Sequence, residues 1–175
     1  YDPAAADLDW LDVNDTLTLT YTAQVNDGTT TVGTQDLVIT ITGTNDVNTV
    51  KAGATLAYTE NDAATVVDST ITVDDLDNAI LLSAPVQITA GYVNGEDVLA
   101  MPAQGSGIVA AFDAGSGTLT LTKTGGAALA DFQTALQSVT YQNLSVNPST
   151  ACRTVTTTQN DGSASSTGAT STINV

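Results

Sequence analysis

The segment TLTLTYTAQV, residues 16–25, alternates polar and apolar side chains. Successive side chains of a β-strand point to opposite faces, so this alternation predicts a strand with one apolar face and one threonine face. The turn sequence Asn-Asp-Gly follows at residues 26–28, and QDLVITIT at residues 35–42 supplies a returning strand. Together the two segments predict a β-hairpin.

The same order of features recurs at the other end of the chain. RTVTTTQ leads into a second Asn-Asp-Gly at residues 160–162, then a loop rich in Ser, Gly and Thr, then STINV at residues 171–175. This repetition predicts two related β modules that each close with a hairpin. Their junction is predicted near residues 43–52, where Gly, Thr and Asn are concentrated.

The second module contains further strand-like segments and one helical segment. The predicted strands are TLAYT (55–59), TITV (70–73), VQITAGYV (86–93), DVLAM (97–101), GIVAAF (107–112), TLTLT (118–122) and VTYQNL (139–144). Within GAALADFQTALQSV the apolar residues have helical spacing, which predicts a short helix packed on the sheets; they are Leu129, Phe132, Leu136 and Val139. The predicted fold class is all-β, with tandem sandwiches and one short helix in the second.

The charge balance restricts the possible partners. Nineteen acidic residues face three basic ones, which gives a formal net charge of −16. A nucleic-acid backbone or an anionic membrane would be repelled, so neither is expected as a partner. Self-repulsion also destabilises the compact state unless cations relieve it. The acids therefore form either a solvated surface or binding sites for divalent cations.

Residue types also restrict the chemistry. The chain has no histidine, its one thiol is Cys152, and its one local acid pair is Glu96-Asp97 beside a predicted turn. General acid–base catalysis by histidine is therefore excluded, and we expect no enzymatic activity. No apolar run is long enough to span a bilayer, and no N-terminal signal segment is visible. We expect a cytosolic location, secretion without a cleaved signal, or a segment of a longer chain.

The acidic loops have a spatial pattern if the second module is a Greek-key sandwich. In that topology the entry of the first strand and two of the loops share one end of the sandwich. Here these are TNDVN (44–48), DDLDN (74–78) and NDG (160–162). Because calcium takes six to eight oxygens drawn from several loops, this convergence predicts a calcium site.

The order of these motifs resembles the cadherin fold family. YTENDAATVVDSTITVDDLDN is similar to a cadherin opening, with Glu60-Asn61 before a strand and Asp75-Leu76-Asp77 after it. Leu11-Asp12, the Asp-Gly hairpin and Asn45-Asp46 resemble a cadherin closing half. More closely, ITGTND and YDPAAADLDWLDVNDTLTLTY resemble the bacterial cadherin-like repeats, VCBS type included, of large secreted RTX-type adhesins. The second module, with YTEND…SVTYQN…NPST, is similar to a domain of the same proteins. The resemblance implies half a sandwich at 1–46, a calcium-binding linker at 47–52 and a second sandwich at 53–175.

The resemblance also implies calcium held between successive domains. The implied ligands are Asp12, Asp15, Asn45, Asp46, Asp75, Asp77 and Asp161, while Glu60 would serve the next junction. Gly43 and Val47 stand where animal cadherins have ligands, which implies fewer ions here.

The predicted function is a calcium-stiffened spacer segment of an extracellular bacterial adhesin or surface fibre, with neighbouring domains of the same chain as partners. One alternative is a fibre subunit that receives a strand from another copy, because the first module lacks its opening strands and exposes open edges. Another is a module that binds a cell-surface glycan or protein through GYVNGED and NLSVNPST. The scattered aromatic residues Trp10, Tyr92 and Tyr141 argue against a sugar platform.

Overall fold

The computed structural model describes residues 6–26, 28–29 and 33–175. The chain divides into two compact units, residues 1–46 and 47–175. In the first unit, β1 (Thr16–Ala23) pairs antiparallel with β2 (Gln35–Thr42), as the alternation predicts. Part of the predicted turn, Asp27, lies outside the described residues.

The hairpin has two chemically different faces. Leu19 lies opposite Ile39 and Tyr21 lies opposite Leu37, so apolar side chains form pairs across one face. The threonines of β1 point to the other face because side chains alternate along a strand. The apolar face is poorly covered, since Tyr21 is 47% exposed and Leu37 is 60% exposed.

The second unit contains most of the secondary structure and all of the helix that the structure describes. Its elements are β3 (Thr49–Lys51), β4 (Thr55–Ala57), β5 (Thr65–Val66), β6 (Thr72–Asp74), β7 (Ile80–Ala90), β8 (Asp97–Ala100), β9 (Val109–Asp113), β10 (Thr118–Ala128), α1 (Leu129–Gln137), β11 (Thr140–Asn143), β12 (Arg153–Thr157) and β13 (Ala169–Asn174). A six-stranded sheet has the order β4-β13-β12-β7-β10-β9, a three-stranded sheet has the order β5-β11-β8, and β3 pairs with β6. The pairing of β4 with β13 is parallel.

The core lies between these sheets and α1. Leu119 and Leu121 of β10 are buried, while the alternating threonines at 118, 120 and 122 are only partly covered. Tyr141 of the three-stranded sheet and Phe132 and Leu136 of α1 complete the same apolar cluster. The predicted all-β class is confirmed, and the predicted apolar stripe of the helix faces the core.

Three features differ from the predicted elements. Strand β7 begins at Ile80 rather than Val86, and β10 continues to Ala128. Within β10 the register shifts between Thr122 and Ala127, at two glycines with positive φ. The segment 47–52 belongs to the second unit and contains β3, so it is partly strand rather than only linker.

A buried ion pair joins three strands of the second unit. The side chains of Arg153 and Asp97 are both fully buried, with Nη2 3.2 Å from Oδ1. Asp97 Oδ1 also accepts hydrogen bonds from Tyr141 Oη at 2.5 Å and from Asn143 Nδ2 at 2.8 Å. The Arg153 Nη1 group donates to backbone carbonyls of Ser149 and Ala151. These bonds compensate both charges inside the core.

Replacement of Arg153 by methionine should destabilise the second unit by about 3–5 kcal/mol, because Asp97 would remain buried without its cation. The free energy of unfolding, measured by urea titration, checks this. Lys51→Met is the matched control, since it removes the same charge from an exposed side chain. The double variant Asp97→Leu/Arg153→Met should recover part of the loss, and equal effects of Arg153→Met and Lys51→Met would contradict the role of the pair.

Candidate functional site

Three segments of the second unit meet at one end of it. Thr49 of β3 lies opposite Asp74 of β6. The Gln159 side chain reaches the same strand, because its Nε2 donates to the Thr49 carbonyl at 2.6 Å. Asn48 Nδ2 lies 3.5 Å from the Ala164 carbonyl. The entry of the unit, the loop after β6 and the loop after β12 are therefore neighbours.

The loop after β12 is held by short hydrogen bonds. Asn160 exchanges backbone hydrogen bonds with Ser83 of β7 at 2.9 and 3.2 Å, and its Oδ1 accepts from the Gly162 amide. Gly162 has φ +107°, a conformation that favours glycine. Asp161 is buried, and its Oδ1 accepts the backbone amides of Ser163 at 2.6 Å and Ala164 at 2.7 Å. Strand β7 follows residues 74–78, so both acidic loops lie beside its beginning.

Residues 74–78 contain a carboxylate with unusual surroundings. Asp75 Oδ1 accepts the backbone amides of Asp77 at 3.4 Å and Asn78 at 3.2 Å. Its other oxygen, Oδ2, is buried, and no amide or hydroxyl group of the described residues donates to it. The pKa of Asp75 is raised to about 6, chiefly by burial. The hydrogen bond and negative charge of the neighbouring Asp77 carboxyl raise the pKa further, whereas the two backbone amides lower it. At neutral pH the loop therefore carries negative charge that the protein compensates poorly.

Two amide oxygens in the same region share this property. Asn48 and Gln159 are each 1% exposed, and neither Asn48 Oδ1 nor Gln159 Oε1 receives a hydrogen bond from the part of the chain that is described. Neither residue is among the ligands predicted from the sequence. A nearby cavity of about 150 Å³ is lined by Val47, Thr49, Asp74, Asp75 and Leu76.

Oxygen acceptors without donors can bind a hard cation. Calcium accepts carboxylate, amide and backbone carbonyl oxygens, so the chemistry of this end of the unit fits it. Across residues 6–26, 28–29 and 33–175, no three side chains of Asp, Glu, Cys or His are grouped closely enough to hold a metal ion. A site here must therefore include amide or backbone oxygens besides the carboxylates.

The predicted ligands of the first unit lie close to the end of its hairpin. Asp12 Oδ1 accepts the Val13 amide at 2.5 Å, and the Asp15 carbonyl accepts the Gly43 amide at 2.9 Å. Asn45 Nδ2 donates to the Asp46 carbonyl at 2.6 Å. A cavity of about 220 Å³ is lined by Leu8, Asp9, Leu11, Ile41, Thr42, Gly43, Thr44 and Asp46.

Gly43 permits this arrangement, because a Cβ there would collide with the carbonyl oxygens of Leu11 and Asp12. Asp9, which shares the cavity with Asp46, was not predicted as a ligand. The predicted clamp draws ligands from both units, and it stays a prediction.

Glu60 lies in a different part of the second unit. It follows β4 and lines a cavity of about 380 Å³ with Tyr58, Thr59, Asn147, Pro148, Thr150 and Val175. The lining includes neither the acids of residues 74–78 nor Asp161. The segment NLSVNPST, proposed as a ligand-binding loop, contributes three of these residues. The carbohydrate-binding alternative stays a prediction.

The groups considered for catalysis are separated. Asp97 forms an ion pair with Arg153 in the core, whereas its sequence neighbour Glu96 is half-buried at the turn. Cys152 is exposed, and its Sγ lies 3.1 Å from Asn174 Oδ1.

Comparison with protein-family models gives no match, and comparison with curated proteins gives none either. Within the described ranges, no helix is both long enough and apolar enough to cross a membrane.

In calcium-free buffer, Asp75→Asn should stabilise the protein at about pH 7.5 and leave its stability nearly unchanged at about pH 4. The pKa of Asp75 is raised by folding, so its stabilising effect is present below about pH 4 and is lost as the pH rises through about 6. We expect a gain of about 1 kcal/mol at the higher pH once solvent screening is included.

Urea unfolding with excess EGTA at both pH values measures this difference. Asp131→Asn is the control, because the helix dipole favours a charged group in the first turn of α1 and the substitution should give no gain. An equal effect of Asp75→Asn at both pH values would show that the carboxyl is not strained by its surroundings.

Proposed function

We propose that the chain is a calcium-stiffened spacer segment of a bacterial extracellular adhesin or surface fibre, without enzymatic activity. The observation that supports this best is the buried Asp75 oxygen beside a second carboxylate, at the end of the second unit where the chain enters from the first. A divalent cation would supply the positive charge that these oxygens lack.

Two of the three basic residues of the chain are engaged elsewhere. Arg153 is bound to Asp97 in the core, and this is the one ion pair between described side chains. Lys123 Nζ donates to the Ser106 carbonyl at 2.8 Å. The remaining cation, Lys51, is exposed at the end of β3. Neutralisation of the acidic loops therefore depends on ions from solution.

The position of the candidate site gives calcium a role in stiffening. Residues 45–49 connect the two units, and Asn48 and Thr49 already contact the acidic end of the second unit. A bound ion would order this connection and reduce its conformational freedom. Asp12, Asp15, Asn45 and Asp46 are the proposed contributors from the first unit. Extracellular calcium modules work with dissociation constants of about 10⁻⁴–10⁻³ M, which suits a low number of charged ligands.

A second candidate function is assembly of copies through donated strands. The observation that favours it is the apolar face of the β1–β2 hairpin, where Tyr21 and Leu37 remain about half exposed. An isolated two-stranded hairpin is only marginally stable in water. A strand of another copy, added beside the hairpin or over its apolar face, would bury these side chains.

Calcium should raise the melting temperature of the second unit above that in EGTA. At a calcium concentration about 100 times the dissociation constant, binding to the folded state adds about 2.7 kcal/mol, or about 8 °C. In Asp75→Asn/Asp77→Asn this rise should disappear, because both carboxylates lose their charge. Asp131→Asn removes one charge outside the acidic loops and should keep the rise. Differential scanning calorimetry measures each transition.

An equal rise with magnesium or with added sodium chloride would contradict the proposed site, since it would indicate charge screening. A rise that persists in the double variant would place the calcium elsewhere.

If copies assemble through the hairpin, Leu37→Glu should abolish concentration-dependent association and Val38→Glu should not. The two residues are adjacent and similarly exposed, at 60% and 57%, but they point to opposite faces of the hairpin. Sedimentation velocity over a wide range of concentrations measures the association. A monomer at all concentrations, or an equal effect of both variants, would exclude this mode of assembly.

A further inference from the structure

Two buried amides are oriented by their nitrogen atoms. Gln159 donates from Nε2 to the Thr49 carbonyl at 2.6 Å, and Asn48 Nδ2 faces the Ala164 carbonyl at 3.5 Å. A 180° flip of the Gln159 amide would place two oxygens against each other. The oxygen atoms Gln159 Oε1 and Asn48 Oδ1 are thus the ends left without a donor, although both residues are 99% covered. Burial of a polar atom without a partner is unfavourable, so these oxygens require an explanation.

The surroundings of the two amides are acidic. The strand residue that Gln159 binds, Thr49, is paired with Asp74. Ala164, whose carbonyl Asn48 faces, donates its backbone amide to Asp161 Oδ1. Asp75 Oδ2 is a third buried oxygen without a donor. Buried acceptor oxygens thus come from three segments of the second unit: the segment before β3, the loop after β6 and the loop after β12.

A cation explains this set of atoms better than a water molecule. One water donates only two hydrogen bonds, which is fewer than the acceptors present, and it adds no charge to offset the carboxylates. Calcium readily accepts Asn and Gln carbonyl oxygens beside carboxylates. Since no three acidic side chains of the described residues group closely enough to hold a metal by themselves, amide oxygens would have to complete the coordination.

We propose that Asn48 Oδ1 and Gln159 Oε1 are direct ligands of the cation that Asp75 binds. This inference rests on the proposed calcium-dependent function and adds neutral ligands to it. Asn48 precedes β3, the first strand of the unit, and Gln159 lies in the loop between β12 and β13. The ion would therefore connect the beginning of the unit to its last hairpin. Calcium is favoured over magnesium, which demands strict octahedral geometry and keeps several waters.

Calorimetric titration of the full chain with calcium chloride tests the assignment. Asn48→Leu and Gln159→Met remove one oxygen each with little change in size, and each should weaken binding about tenfold or more. Asn48→Asp keeps an oxygen at the position and adds charge, so it should bind at least as tightly as the wild type. The matched control is Gln104→Met, because Gln104 is a half-buried amide that donates to Ser138 Oγ in another part of the unit.

Nuclear magnetic resonance of the wild-type chain gives a second measurement that needs no substitution. The side-chain NH₂ resonances of Asn48 and Gln159 should shift on saturation with calcium, because coordination polarises each amide. The NH₂ resonances of Gln104 should not move.

The outcomes separate this inference from the proposed function. One outcome would be that the wild type binds calcium, that Asp75→Asn abolishes binding, and that both amide variants bind within about twofold of the wild type. In that case the amides are not ligands, although the calcium site itself stands. Unshifted NH₂ resonances in the calcium-saturated wild type would overturn it as well. A wild type that does not bind calcium would overturn the proposed function itself.

Discussion

The scarcity of positive charge is the constraint on which much of this structure depends. With three basic residues for nineteen acidic ones, side-chain cations cannot neutralise the carboxylates, and the core takes one of the three for Asp97. Most other aspartates with a described partner accept hydrogen bonds from nearby backbone amides instead. Such bonds are available in turns, where backbone amides are free of the strand ladders.

Asp68 and Asp75 show that the pKa of a carboxyl group depends on the number of hydrogen-bond donors around it. Both are aspartates in loops of the second unit. Burial acts to raise the pKa of Asp68, but hydrogen bonds from Thr70, Ser171 and the amides of Gly53 and Ala54 hold it well below its usual range. At Asp75 burial also acts to raise the pKa, the neighbouring Asp77 carboxyl adds to this effect, and fewer donors oppose it, so the pKa is raised. The first carboxylate stabilises the fold as an anion, whereas the ionised form of the second is disfavoured in the folded chain.

The sequence predicted the long elements because their patterns are local. Alternation in TLTLT at residues 118–122 and the helical spacing of Phe132 and Leu136 depend only on neighbouring residues, and the apolar members of both sets are buried as expected. The short strands β3 and β5 were missed because a few residues carry no periodicity. The first half of β7 was missed because ILLSAP does not alternate, and its partners, β10 and the bridging residue Asn160, are distant in sequence.

The candidate site was predictable only in part. The meeting of the entry segment with the loops at 74–78 and 160–162 follows from strand order, so sequence could suggest it. The buried oxygens of Asn48 and Gln159 that lack a donor could not be predicted from the sequence. Each amide is oriented by a carbonyl that its NH₂ group contacts and that is distant in sequence, Ala164 for Asn48 and Thr49 for Gln159. The pairing of Arg153 with Asp97 is equally a product of tertiary structure.

The parallel pairing of β4 with β13 has a mechanical consequence. The first of these strands lies near the beginning of the second unit and the other near its end, and they run side by side in the same direction. Tension applied to the chain before β4 and after β13 pulls the two strands past each other along their length. The hydrogen bonds between them, including Thr172 N to Ala54 O and Tyr58 N to Asn174 O, are then loaded together in shear rather than broken one after another. Rupture requires all of them to fail at once, so the unit resists stretching between the start of β4 and the end of β13.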